Sequence, residues 1–354
     1  MSATKAAKQY FTTNLLKWHY EENSRDLPWK NQKDPYKIWL SEVILQQTRA
    51  EQGRPYYEKF IQHYPNIHLL ANAPEAEVFL LWQGLGYYNR CRNLLATANY
   101  ISQNLKGNFP NNYDDIRALK GVGDYTAAAI ASFAFDLPYA VVDGNVYRVL
   151  ARYFGIDLAV DSNSGKIHFK ELAAELLDKH HPADYNQAIM DFGAGVCKPK
   201  NPICEECNLS AKCVAYRQNM VAMLPVKTKK LTIKQRYFHY LILEVGELIY
   251  LQQRLAKDIW QQLHEFYLIE GEEPFASDNK LWQTIVPFVE QKGERIFHSS
   301  QKLTHQVITS DFYEIKLHAI PPQLQTGIWI QKHLIKNYAF PKTIVSFFER
   351  KKYF

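Results

Sequence analysis

The sequence predicts a mostly α-helical region over residues 1–225 followed by a smaller α+β domain over 236–354. Three observations support this. Up to about residue 220, apolar residues recur at helical spacing, with Gly and Pro as punctuation and no strand-like alternation. The stretch Leu224-Pro225-Val226-Lys227-Thr228-Lys229-Lys230 is polar and basic, which reads as a linker placed at 226–235. Beyond it, strand-like runs mix with short helical ones, and 354 residues are long for one compact core.

In chain order, Asp34-Pro35 is an N-cap followed by proline in the first turn. It opens a helix through Trp39, Val43 and Ile44 to about Arg49. Helical periodicity returns over 87–104, 124–135, 144–154, 163–179 and 184–195. Gly84, Gly86, Pro110, Gly121, Gly123, Pro138 and Pro182 separate these stretches. After the linker, residues 237–245 and 248–251 flank Gly246-Glu247 and predict a β-hairpin. Further strand-like runs fall at 304–309 and 312–318, and helix-like runs at 280–292 and 328–335.

Hydrophobic residues make up 47% and charged residues 22%, which excludes a disordered chain. A net charge of +6 is compatible with a polyanionic partner without establishing one. Aromatics at 14% allow base stacking, although most must serve the core. The first twenty residues carry Lys5, Lys8 and Lys17 and no apolar run, and no later stretch reaches membrane-spanning length. The expectation is a cytoplasmic, nucleoid-associated monomer with no membrane partner.

Four of the five cysteines fall together as Cys197-x6-Cys204-x2-Cys207-x5-Cys213. Thiolates this close can converge on one soft metal centre. Reduced structural cysteines, a disulfide pair and a tetrahedral zinc site compete with that reading, and a cytoplasmic setting disfavours the disulfide. Only Cys204 and Cys207 form a CxxC knuckle of the zinc type, so on chemistry alone zinc and iron–sulfur stand level. Cys91 lies far outside and reads as a small buried hydrophobe.

Taken together, the three cysteine spacings resemble the cluster loop of endonuclease III-like and MutY-like DNA glycosylases. That resemblance implies a [4Fe–4S] cluster on Cys197, Cys204, Cys207 and Cys213. Lys198, Lys200, Lys212 and Arg217 around it are either a solvated face or, as the resemblance implies, a phosphate-contacting loop. It also implies a helix-hairpin-helix subdomain at about 30–136 and an iron–sulfur subdomain built from 1–29 and 137–225.

Leu119-Lys120-Gly121-Val122-Gly123-Asp124-Tyr125 has the shape of the hairpin turn, although by itself it could be an ordinary interhelical loop. Gly121 and Gly123 permit close backbone approach, and the following helix would offer N–H groups to a phosphate. The family resemblance also allows a monovalent or divalent cation there. Val141-Val142-Asp143-Gly144-Asn145-Val146-Tyr147-Arg148-Val149 resembles the segment carrying the family's catalytic aspartate, Asp143, with Asn145 as an orienting group. Where bifunctional relatives carry a Schiff-base lysine this chain has Tyr125, so base removal by water with no lyase step is implied.

Leu40-Ser41-Glu42-Val43-Ile44-Leu45-Gln46-Gln47-Thr48 resembles the MutY motif in which the glutamate, here Glu42, is the general acid. Gln46 and Gln47 would act as wedge residues, with Gln47 filling the gap left by the extruded adenine. Gly84-Leu85-Gly86-Tyr87-Tyr88-Asn89-Arg90 resembles the segment whose tyrosine, Tyr87, stacks beside the opposite base. Arg25, Leu27 and Trp29, in Arg25-Asp26-Leu27-Pro28-Trp29, and Gln187 match positions near the family's adenine pocket.

In the second domain, Leu303-Thr304-His305 resembles the family's FSH loop for 8-oxoguanine, with Leu303 replacing the aromatic. The stretch from Ile259 to Phe266 departs from the usual GLWEF pattern. No REx2EE acidic box follows residue 231, so this Nudix-like module is expected to bind and not to hydrolyse nucleotides. Ile344-Val345-Ser346-Phe347-Phe348 reads either as a sliding-clamp peptide or, preferably, as a terminal amphipathic segment. The expected function is removal of adenine opposite 8-oxoguanine or guanine in duplex DNA. The alternatives are a same-fold glycosylase for another mismatched or oxidised base, a non-catalytic iron–sulfur DNA-binding protein, and a Nudix phosphohydrolase.

Overall fold

The computed structural model describes residues 4–228, 232–324 and 327–351; of the linker stretch, Lys229 and Lys230 lie outside the described residues. The chain divides into two compact units, one of residues 1–72 with 93–229 and one of 73–92 with 230–354. The second unit thus takes in a short stretch from the helical part of the sequence.

Helices dominate the first unit. They are α1 (Lys5–Glu21), α2 (Pro35–Leu45), α3 (Ala50–His63) and α4 (Ile67–Ala71). After α5 (Glu75–Trp82), which belongs to the second unit, α6 (Asn89–Asn104) crosses the boundary between the units. The series continues with α7 (Tyr113–Ala118), α8 (Asp124–Phe135), α9 (Gly144–Phe154), α10 (Asn163–Leu176), α11 (Pro182–Gly195) and the short α12 (Val214–Arg217).

Caps explain several of the boundaries. The Asp34 side chain accepts from Tyr36 N with Pro35 in the first turn of α2, as the sequence predicts. That helix stops at Leu45 and does not reach Arg49, because Gln46 is extended (ψ 113°) and Gln47 left-handed (φ 57°). The sequence reading also passed over α1 and α3. Phe11, Leu15 and Trp18 of α1 pack with Val149, Phe169, Tyr185 and Phe192 in one core. Cys91 is fully buried, as expected, and burial pushes its thiol up.

The second unit is built on a seven-stranded mixed sheet. Its strands are β1 (Lys234–Val245), β2 (Leu248–Gln253), β3 (His264–Glu265), β4 (Tyr267–Glu270), β5 (Val289–Lys302), β6 (Gln306–Leu317) and β7 (Ile328–Gln331). The predicted hairpin is present as β1–β2, turning at Gly246. β1 runs parallel to β6 from Lys234↔Gln306 to Glu244↔Lys316, and β6 pairs antiparallel with β5. Both faces of the sheet are covered. Leu241, Leu243, Ile315 and Leu317 meet Trp282 on one side, while Tyr240 and Phe312 pack with Phe266 and Phe347 on the other.

Three expectations here are corrected. The runs 304–309 and 312–318 form one strand, β6. The helix-like run 280–292 is α13 (Lys280–Ile285) and a 3-10 turn, and β5 begins at Val289. The run 328–335 opens as strand β7 and ends in a 3-10 turn. The terminal segment is the amphipathic helix α14 (Lys342–Lys351), and Ile344, Phe347 and Phe348 are buried in the domain. No helix among the described residues is long and apolar enough to cross a membrane.

Candidate active site

Glu42 sits one turn before the end of α2, between Trp39 and Val43, and is 7% exposed. Burial pushes its carboxyl up to about 7; the Tyr125 hydroxyl opposes the shift and the charge of Asp143 adds to it. Tyr125 lies in the first turn of α8 and donates to Met190 Sδ at 3.3 Å.

Asp143 is the N-cap of α9. Its Oδ1 accepts from Asn145 N and Val146 N, both at 2.8 Å, and its Oδ2 accepts from Asn145 Nδ2 at 2.7 Å. Burial raises this carboxyl while the three donors hold its charge. Arg148 Nη2 donates to Asn145 Oδ1 at 2.8 Å and to Gly193 O at 2.6 Å. A Cβ at Gly193 would stand 2.6 Å from Asn145 Cβ, so only glycine lets α11 approach α9 at this point.

Glu42, Tyr125, Asp143 and Asn145 line one cleft of about 930 Å3 within the first unit, together with Arg25, Leu27, Trp29, Gln187 and Gln47. All nine of those predicted positions therefore share a cavity. Gln46 lies outside it and donates from Nε2 to Gly121 O and Thr126 Oγ1, at 3.4 and 3.3 Å. Trp29 meets Tyr57 edge to face at 5.5 Å.

The cleft contains a polar hub that the sequence reading missed. Asp191, 1% exposed, pairs with Arg25 Nη1 at 3.0 Å and Lys30 Nζ at 2.7 Å. It also accepts from Asn23 Nδ2 and Gln187 Nε2, each at 3.0 Å. The available signal was its i, i+4 spacing from Gln187 on a predicted helix.

The predicted DNA-contacting positions divide between the units. Gly121, with φ +81°, shapes the α7–α8 turn, and a Cβ there would stand 2.7 Å from Asn93 Cβ. Gly123 faces open space as the N-cap of α8. Three carbonyls of this turn, at Lys120, Gly121 and Val122, each accept one protein hydrogen bond. Tyr87, Thr304 and His305 belong to the second unit. Thr304 and His305 are exposed between β5 and β6. Tyr87 is 46% exposed in the left-handed region (φ 49°), beside the Arg90 guanidinium, and its hydroxyl shares a 2.6 Å hydrogen bond with Thr304 Oγ1.

Cys197, Cys204, Cys207 and Cys213 surround a second, apolar cavity with Val149, Phe192 and Leu209, apart from the cleft. All four are free thiols. Burial, then the charge of its neighbours, pushes Cys207 up to about 11. Arg152 Nη1 approaches Cys197 Sγ at 3.5 Å. Among the described residues, no three His, Cys, Asp or Glu side chains are set to hold a single metal ion.

Comparison with known proteins agrees with this architecture. Residues 40–176 match the HhH-GPD superfamily of base excision DNA repair proteins, and residues 239–350 match the NUDIX domain. Adenine DNA glycosylase of Buchnera aphidicola (subsp. Baizongia pistaciae) is 38% identical over 72% of this chain and 73% of its own length. The human adenine DNA glycosylase is 41% identical over 59% of this chain and 40% of its own length. Among solved structures, a thermostable thymine-DNA glycosylase aligns with TM-score 0.57 and 32% identity, covering 61% of this chain and all (100%) of that one. An endonuclease III–DNA complex shares the fold with TM-score 0.54 at 21% identity, over 62% of this chain and 99% of that one. On this likeness, and with HhH-GPD and NUDIX matches along the chain, it belongs to the adenine DNA glycosylase family of base excision repair.

Proposed function

We propose that the protein removes adenine paired with 8-oxoguanine or guanine in duplex DNA, by acid-assisted hydrolysis of the N-glycosidic bond and without strand cleavage. The observation that carries this reading is one cleft holding two carboxyls in different settings: Glu42, which burial pushes up to about 7, and Asp143, also raised by burial but accepting three hydrogen bonds that favour its charged form.

Adenine leaves poorly until its ring is protonated, and Glu42 retains a proton near neutral pH to supply it. As the bond to C1′ breaks, the sugar becomes oxocarbenium-like, and ionised Asp143 stabilises that cation. Asn145 fixes the Asp143 carboxylate, and Tyr125 orients Glu42 and the attacking water. Tyr125 has no amine for an imine at C1′, so no Schiff base forms and the strand stays intact.

The base must be flipped into the cleft, where Arg25, Leu27, Trp29 and Gln187 receive it. Gln47 and Tyr87 act as wedges, and their left-handed backbones are strain of the kind found at functional sites. Gly121 and Gly123 admit a phosphate at the hairpin, and Thr304 and His305 read the opposite base. A [4Fe–4S] cluster suits the cysteine cavity, since four thiols line one apolar pocket and cysteine thiolates are the ligands such clusters take. Cys197, Cys204, Cys207 and Cys213 would hold it, and it would keep the basic loop with Lys198, Lys200 and Lys212 in shape for phosphate contact. The protein acts as a monomer.

Glu42→Gln tests the assignment. Excision should fall at least ~100-fold while binding to the same duplex persists. Excision at the wild-type rate contradicts it.

A further inference from the structure

Gln187 and Asp191 stand one turn apart on α11, and only Asp191 is fully buried. The Asp191 carboxylate is satisfied from four sides. Its Oδ1 accepts from Arg25 Nη1 at 3.0 Å, and its Oδ2 from Lys30 Nζ at 2.7 Å and from Asn23 Nδ2 and Gln187 Nε2 at 3.0 Å. Although burial opposes ionisation, the contacts from Lys30 and Asn23 outweigh it and hold the carboxyl below its ordinary value.

An ionised carboxylate only accepts hydrogen bonds. The amide of Gln187 has two ends of opposite character, and its partner decides which end faces which way. Inverting it would set Gln187 Oε1 against Asp191 Oδ2, two acceptors in contact. Oε1 is therefore turned away from Asp191, on a side chain that lines the cleft.

We propose that Asp191 is a specificity-determining positioning residue: by accepting the Gln187 amino group it aims Gln187 Oε1 at the flipped base, so that the cleft selects a purine carrying an amino group at C6 over one carrying a carbonyl. The inference rests on the adenine reading above. An exocyclic amino group donates to Oε1, whereas a 6-oxo group meets it acceptor to acceptor, and a mismatched buried polar pair is worth on the order of tenfold or more in rate.

The test is single-turnover excision by the full chain of adenine and of hypoxanthine, each opposite 8-oxoguanine. Asp191→Asn presents an amide that can donate to Gln187 Oε1, so the Gln187 amide can invert. The adenine-to-hypoxanthine rate ratio should then fall about tenfold. Asp191→Glu, which keeps the charge, should restore most of the ratio. Gln187→Met, which leaves the Arg25 and Lys30 ion pairs in place, should lower it equally, and the double variant no further. A folded Asp191→Asn protein with a slower adenine rate but an unchanged ratio overturns the proposal, since a merely structural role gives that result. If Asp191→Asn fails to fold, Gln187→Met decides: a preserved ratio overturns the proposal and a tenfold fall supports it. Failure of the wild-type chain to release adenine from any duplex contradicts the functional reading instead, and is seen before the variants are compared.

Discussion

Glu42 holds a proton in the folded state that it would lose near neutral pH when unfolded, and this has a stability cost as well as a catalytic use. Its folded value is raised from 4.5 to about 7, so its contribution to stability is fully present below 4.5 and is lost as pH rises through about 7. Glu42→Gln escapes that loss. The variant should be more stable than the parent at pH 8 by up to about 3 kcal/mol, with the gap closing towards pH 4.5, measured by denaturant unfolding at both values. An identical offset at both pH values would show that the carboxyl titrates normally. The same tuning predicts that excision by the wild-type protein declines above about pH 7 as Glu42 ionises, and at acid pH as Asp143 is protonated. Glu42, Asp143 and Tyr125 could be singled out in the sequence because they sit in contiguous motifs, and they line one cleft. Asp191 was not: its role depends on Asn23, Arg25 and Lys30, which reach it from the segment between α1 and α2.

At the level of elements, α9 unites structure and chemistry at its N-cap. Asp143 caps the helix through Asn145 N and Val146 N while offering its charge to the cleft. Asparagine caps as well as aspartate, so Asp143→Asn should unfold within ~0.5 kcal/mol of the parent yet lose at least ~100-fold in excision. Asp143→Ala should lose the cap too, at about 1 kcal/mol. Paired melting and single-turnover measurements separate the two roles, and an active Asp143→Asn protein would remove Asp143 from the reaction. Helices α8 and α9 match their predicted ranges because glycine and an N-cap mark where each begins. β5 was invisible for the opposite reason: Glu290, Gln291, Lys292, Glu294 and Arg295 are exposed along it, so no apolar alternation announces a strand. β1 is buried from Phe238 to Glu244 without a break, because both sheet faces are covered, and its run of apolar residues carries no period of two.

At the scale of the molecule, the aromatic face of the second unit shows how tertiary packing decides between readings of a peptide. Phe347 stacks on Phe312 at 4.8 Å and meets Phe266 at 6.0 Å, so the terminal segment serves the core. Phe347→Ala should cost about 3–5 kcal/mol in the stability of that unit, read from its own unfolding transition. In the first unit, protein purified without air should be brown and carry about four irons per chain; a colourless, zinc-loaded protein would remove the cluster from this account. The order of the two regions was legible in the sequence, since the cysteine spacing and the linker composition are local features. The grouping of residues 73–92 with the second unit was not, because it depends on contacts between distant parts of the chain, such as that of Gln83 Oε1 with Phe340 N at 2.9 Å. A cleft with a protonated Glu42 and an ionised Asp143 should excise adenine and leave the strand whole. Single-turnover assays on duplexes with adenine opposite 8-oxoguanine, guanine, cytosine or thymine test it most directly. Release should be fastest opposite 8-oxoguanine, then guanine, with strand breaks only after alkali. Breaks without alkali, or preferential release of another base, would contradict it.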